Sequence, residues 1–282
     1  MAQDYPNREI RSVCNFAPGS GADIVVRFYS ERLAKLTGRP VIVDNRPGAQ
    51  GSLATELVAR SKPDGYTIHI TPASSTLATA PHIFKSLNFD PLADLAPVAT
   101  LAKLSFGVAV DGKGPHRTLA ELTAFLRTRP GHGSYGTGSN SGQVTGELYK
   151  VGATLETTYV PYKVTGQALA DLVGGQTDFI TYDSTYMVAL HRAGRIRVLA
   201  VSSATRNAAL PEVPAMAELG FTGFDVTPWW GVVVPTGTPK PIIDQLGKWF
   251  NEITAMPETK TFLSSVATDV FPGDAESMAK LL

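Results

Sequence analysis

One cysteine, Cys14, occurs in 282 residues, so no internal disulfide can brace the chain and the redox compartment stays open. In the strand-like run Ile10 to Phe16 its thiol reads as a small apolar side chain. No apolar stretch approaches the ~20 residues of a membrane span. An excess of either charge is missing too: Lys plus Arg and Asp plus Glu are each 25, without a basic block or stripe. That argues against a nucleic-acid binder. The five histidines, His69, His82, His116, His132 and His191, form no H-x-x-x-H pair and stand beside no cysteine pair, so no metal is expected. The G-x-x-x-x-G-K-[ST] loop is absent, which removes a P-loop nucleotide site, and the lack of a G-x-S-x-G elbow weakens a hydrolase reading. Gly131, Gly133 and Gly136 spell G-x-G-x-x-G, but they follow a helical stretch and Pro130 rather than a strand. No cofactor is expected.

What is present centres on Phe16 to Asp23, FAPGSGAD. An apolar strand precedes it, and a helical pattern follows with Ile24, Val25, Phe28, Leu33 and Leu36 apolar. Pro18 fixes its own φ and removes a donor. Gly19 and Gly21 let the backbone bend sharply and approach a guest. The helix start that follows offers free N–H groups with partial positive charge. The stretch suits a backbone cradle for an anion, and equally a plain glycine-rich turn.

The rest of the chain alternates strand and helix, which favours α/β architecture with parallel sheets and helices on both faces. A length of 282 residues suits two lobes. Passages between them are placed near Leu101 and Asp225, giving a discontinuous first lobe of 1–101 plus 225–282 and a second of 102–224. Thr118 and Glu121 have capping-box spacing and start a helix to about Arg127. Small polar residues recur after strands: Gly19 to Gly21, Ser74 and Ser75, Thr137 to Ser141, Thr165 and Gly166, Asp183 and Ser184. Ligands of open α/β sheets bind beyond the carboxyl ends of strands. Two such sheets face to face would line a ligand cleft between the lobes.

Asp23 opens the first helix, where a carboxylate meets the helix dipole favourably, and it reads as structural. Asp183 ends a strand. It suits either a ligand contact or the cap of the helix beginning near Thr185. Trp229 and Trp230 fit core packing or a ligand wall.

Taken together, these motifs resemble the Bug family, the receptor subunits of tripartite tricarboxylate transporters. The resemblance runs over nearly the whole chain. It is carried by FAPGSGAD, DNRPGAQG at Asp44 to Gly51, KPDGYT at Lys62 to Thr67 and VPYK at Val160 to Lys163. ALADLVGGQTD at Ala168 to Asp178, LAVSSATR at Leu199 to Arg206, LPEVPAMAELG at Leu210 to Gly220 and PTGTP at Pro235 to Pro239 complete it. It implies a two-lobed, type II-like periplasmic binding protein fold and no catalysis. It further implies a ligand carboxylate held by Phe16, Ala17, Gly19, Ser20 and Ala22, partly through ordered water. Ser74 and Ser75, Gly138, Ser139 and Ser141, Thr165 and Asp183 join them by the same resemblance. The chain departs from the family at Asn15, often proline there, at Ser20, often a second glycine, at Gln143, usually histidine, and at Val164, usually glycine.

The expected function is therefore a monomeric periplasmic receptor that captures a small organic acid for uptake or sensing and closes on it by a hinge. Membrane subunits of a tripartite transporter are the implied partners. A cofactor-dependent α/β enzyme acting on a small carboxylate is the alternative, but neither an acid/base pair nor a cofactor motif is visible. The N-terminus, MAQDYPNR, lacks a basic leader and an apolar core, as in a cytosolic chain or one whose signal has been removed. Against the family pattern the chain stops early at Leu282, short of the usual last helix.

Overall fold

The computed structural model describes residues 5–162 and 165–282, without the Thr165 side chain. Lys163 and Val164, expected within a loop, lie outside the described residues. In chain order the elements are β1 (Ile10–Cys14), α1 (Gly21–Thr37), β2 (Val41–Asn45), α2 (Ser52–Ala59), β3 (Thr67–Thr71), α3 (Ala80–Ile83), β4 (Leu95–Lys103) and β5 (Phe106–Asp111). There follow α4 (Leu119–Arg127), β6 (Gly133–Thr137), α5 (Asn140–Gly152), β7 (Thr157–Pro161), α6 (Thr165–Val173), β8 (Phe179–Asp183), α7 (Ser184–Arg192) and β9 (Ile196–Val201). The last are β10 (Trp229–Pro235), α8 (Lys240–Ala255), α9 (Pro257–Ser265), β11 (Asp269–Gly273) and α10 (Ala275–Ala279).

Two compact units result. The first comprises the chain up to Lys103, Trp229–Leu263 and Asp269–Leu282; the second comprises Leu104–Pro228 and Ser264–Thr268. Sequence boundaries of 1–101 plus 225–282 and 102–224 leave Ser264–Thr268 on the other side. Its attachment is tertiary: Ala267 is buried in a core cluster of the second unit, and its carbonyl accepts from Ser184 Oγ at 2.7 Å and Asn207 Nδ2 at 3.3 Å.

The sheet of the first unit runs β11-β4-β10-β3-β1-β2, with β1 parallel to both β2 and β3. β10 is antiparallel to β3 and β4, and β11 to β4. The second unit has the order β7-β6-β8-β5-β9, with β6 parallel to β7 and β8, and β5 antiparallel to β8 and β9. The expectation of parallel sheets is thus corrected: both are mixed. The βαβ alternation dictates direction only where a helix carries the chain back, and β4, β5 and β10 enter their sheets by other routes.

Side-chain alternation shows why β5 and β8 read as unbroken apolar runs. Ala109 of β5 and Ile180 and Tyr182 of β8 join one buried cluster; Val108, Val110 and Phe179 join another. Successive residues point to opposite faces, so both faces of this sheet are covered. In the first unit α1 buries Val25, Val26, Phe28, Tyr29 and Leu33, whereas Ile24, expected on the apolar face, is 47% exposed. Gly38 stops the helix in a left-handed conformation, φ 64°, which suits a residue without Cβ.

Candidate functional site

Because β1, β2 and β3 run parallel, the segments that leave their carboxyl ends share one edge of the first sheet. These segments are Asn15–Ser20, Arg46–Gly51 and Pro72–Thr76. Phe16 is half-buried, with its ring 6.0 Å from that of Trp230; Ala17 and Gly19 are exposed, and Ser20 and Ala22 half-buried. Trp229 and Trp230 are themselves 7% and 5% exposed, as core residues are.

The loop is pinned from inside by a carboxylate of its own. Asp23, 1% exposed, accepts from the Gly19 N–H at 2.8 Å, from Arg27 Nε at 2.8 Å and from Asn45 Nδ2 at 2.7 Å. Asn45 Nδ2 also donates to the Phe16 carbonyl at 2.9 Å, and Arg27 Nη2 donates to Asn45 Oδ1 at 3.0 Å. Burial alone would raise the Asp23 carboxyl. The hydrogen bonds from Arg27, Asn45 and Gly19 outweigh it and hold the group below its ordinary value. The structural reading of Asp23 agrees with this geometry, which also occupies the Gly19 N–H. Ser20 caps α1 by accepting the Asp23 N–H at 3.2 Å. The N–H group of Ala22, in the first turn of α1, lies where no intrahelical carbonyl can reach.

Ser74 and Ser75 lie on a π-helical turn, Ser74–Thr79, rather than in a loop. The Ser74 hydroxyl accepts the Trp229 N–H at 3.1 Å and lies 3.4 Å from the Trp229 carbonyl, so it ties this turn to β10. Ser75 is half-buried. Beneath them is a polar cluster: Thr71 Oγ1 donates to Asn15 Oδ1 at 3.2 Å and stands 2.9 Å from Thr76 Oγ1. Further in, His69 is fully buried, with Nδ1 2.9 Å from the Val13 carbonyl and Nε2 3.3 Å from Thr55 Oγ1. A carbonyl only accepts, so Nδ1 carries the proton. Burial pushes the imidazole down to about 4.

In the second unit, the parallel strands β6, β7 and β8 gather Gly138, Ser139, Ser141 and Asp183 at one sheet edge. Ser139 caps α5 by accepting the Gly142 N–H at 3.1 Å, and Ser141 is 5% exposed in the first turn. A Cβ on Gly138 would stand 2.7 Å from the Tyr162 carbonyl, so no side chain fits there. Thr165 begins α6 instead of standing in a loop; its side chain lies outside the described residues. Asp183 caps α7, accepting the Tyr186 N–H at 3.0 Å. Of its two sequence readings the cap is the one with a visible partner.

Arg27 and Asn45 escaped the sequence reading. The first had a signal, since it stands at i+4 from Asp23. The second had none, because its contacts depend on β2 lying beside β1. Among the described residues no group of three His, Cys, Asp or Glu could hold a metal ion, and no helix is long and apolar enough to cross a membrane.

Comparison with known proteins gives consistent matches. The tripartite tricarboxylate transporter family receptor matches residues 25–282. The protein BugT of Bordetella pertussis is 32% identical over 273 residues, which are 95% of this chain and 83% of BugT. Rpa4515 of R. palustris, solved with adipate, superposes with a TM-score of 0.89 at 29% identity, over 98% of this chain and 93% of that one. MatC of Rhodopseudomonas palustris, solved with bound malate, gives 0.86 at 27% identity, over 98% and 96%.

Proposed function

Since this chain belongs to the tripartite tricarboxylate transporter receptor family, we propose that it is a periplasmic receptor for a small organic carboxylate, which it holds and releases unchanged. The observation that carries the ligand class is that relatives of the same fold, at 29% and 27% identity, were solved with adipate and malate. The helix start of α1 supports it. The first-turn N–H group of Ala22 carries partial positive charge beside an exposed loop, and a carboxylate meets such a helix end favourably. Phe16, Ala17, Ser20 and Ala22 are then the contacts in the first unit, with Ser75 nearby. Gly138, Ser141 and Thr165 are candidates in the second. Gly19, Ser74, Ser139 and Asp183 shape the loops through internal hydrogen bonds. Delivery goes to the membrane subunits of a tripartite transporter.

A thermal-shift panel of mono- and dicarboxylates that includes adipate and malate tests this reading. A ligand selective for the folded state raises the melting temperature by mass action, about 2.7 kcal/mol of stabilisation at a hundredfold excess over Kd. A panel without any shift contradicts it.

A further inference from the structure

Asp23 gives the first loop a buried negative charge, and a receptor for an anion has to offset it. Adjacent Cα atoms are about 3.8 Å apart, so an anion at the Ala22 N–H sits within roughly 10 Å of the Asp23 carboxylate. That is about one Debye length at 0.1 M salt, and a buried charge is screened less than an exposed one. Left unbalanced, Asp23 would oppose the capture of any carboxylate.

Arg27 supplies the opposite charge. Its Nε stands 2.8 Å from Asp23 Oδ2, the one ion pair of Asp23 among the described residues. A second anchor fixes the guanidinium: Nη2 donates to Asn45 Oδ1 at 3.0 Å, while Asn45 Nδ2 donates to Asp23 Oδ1 at 2.7 Å. The other groups near the carboxylate bring no charge. Gly19 contributes a main-chain N–H and Asn45 of β2 a neutral amide. Burial pushes the Cys14 thiol of β1 up to about 11, so it is protonated at neutral pH. Exposure is unequal across the pair: the Arg27 side chain is 50% exposed and that of Asp23 1%. An anion arriving from solvent therefore meets the cation first. We propose that Arg27 sets the charge selectivity of the first loop, by neutralising Asp23 so that the start of α1 accepts an anionic acid. Acting through Asp23, it is a positioning residue and not a ligand contact. This rests on the carboxylate-receptor reading and on the ligand lying at the start of α1.

The test is a set of calorimetric titrations with the acid that gives the largest shift in the carboxylate panel, adipate and malate included. The proteins are the wild type, Arg27→Gln, Arg27→Lys and the double variant Arg27→Gln with Asp23→Asn, each with its ligand-free melting temperature. Arg27→Gln leaves Asp23 unneutralised and should weaken binding roughly tenfold, the scale of two charges about 10 Å apart at an effective dielectric constant near 20. Arg27→Lys keeps the charge without the planar fork and should stay within about threefold of the wild type. The double variant removes both charges and should regain most of the affinity that Arg27→Gln loses. A purely structural role predicts the reverse, because two substitutions in one buried network would bind no better than one. If the double variant does not fold, Arg27→Gln titrated in low and high sodium chloride decides: its deficit against the wild type should shrink as salt screens the repulsion. Wild-type affinity in Arg27→Gln, no recovery in a folded double variant, or a deficit indifferent to salt overturns the Arg27 assignment only. A wild type that binds no acid of the panel overturns the receptor reading, and the assignment with it.

Discussion

Gly19 donates its main-chain N–H to the Asp23 carboxylate at 2.8 Å, so the first loop is closed around an anion that the chain itself supplies. That contact explains how a loop with three exposed residues, Ala17, Pro18 and Gly19, keeps one shape. It also means that the Gly19 N–H is already engaged within the loop.

Asp23→Ala should destabilise the protein by about 3 kcal/mol or more, because Arg27, Asn45 and Gly19 lose a shared, buried, charged partner. Urea unfolding at neutral pH measures it. The wild type should also lose stability in acid through this group. Its folded value is depressed, so its contribution is complete above the unfolded carboxyl value of about 3.9 and fades as pH falls through the folded one. The variant should lack that part of the acid slope.

His69 acts in a different pH window. Its folded value is about 4 and its unfolded value about 6.5, so between these the unfolded chain binds the additional proton. Stability should rise with pH across that window, by up to about 3 kcal/mol, and level off above it. His69→Gln should flatten the curve between pH 4 and 6.5 in denaturant melts, whatever its own cost at pH 7.

Two glycines make a controlled pair. Both have positive φ, 97° at Gly51 and 64° at Gly38, but a Cβ meets Asn15 and Thr76 within 3 Å at the first and nothing within 4 Å at the second. Gly38→Ala should cost roughly 1 kcal/mol, and Gly51→Ala clearly more, about 2–4 kcal/mol, since overpacking adds to the backbone term. Equal costs in chemical denaturation would mean that the Asn15–Gly51 contact gives way freely.

Several elements were legible because their causes are local. The Thr118 capping box is present, with Glu121 N–H to Thr118 Oγ1 at 3.2 Å and Thr118 N–H to Glu121 Oε2 at 3.2 Å. The strand, loop and helix around FAPGSGAD followed from period and glycine placement. What stayed hidden depends on partners far away in sequence. β11 holds Pro272 and gave no strand signal in the sequence, yet it forms an edge strand on β4, a position that tolerates proline. Ser74 and Ser75 look like loop residues because small polar residues have weak helical signal, and the turn they form is tied down by Trp229. The first loop was half legible. Its turn and the helix start after it could be read, but not that Asp23 folds back onto Gly19.

Asp183 tests how a cap differs from a ligand contact. Asp183→Asn preserves an N-capping oxygen and should change stability little, whereas Asp183→Ala should cost about 1 kcal/mol. If Asp183 only caps α7, affinity for a dicarboxylate should be the same in the wild type and the Asn variant by calorimetry. An affinity gain in Asp183→Asn would show that its charge reaches the ligand.

The most direct measurement is a crystal structure of the protein with the best-bound acid of the carboxylate panel. The account predicts a carboxylate group at the start of α1, within hydrogen-bond reach of the Ala22 N–H directly or through one ordered water, with the Asp23–Gly19 contact intact. A carboxylate bound away from the Phe16–Ala22 loop, or one that displaces Asp23 from Gly19, would contradict it.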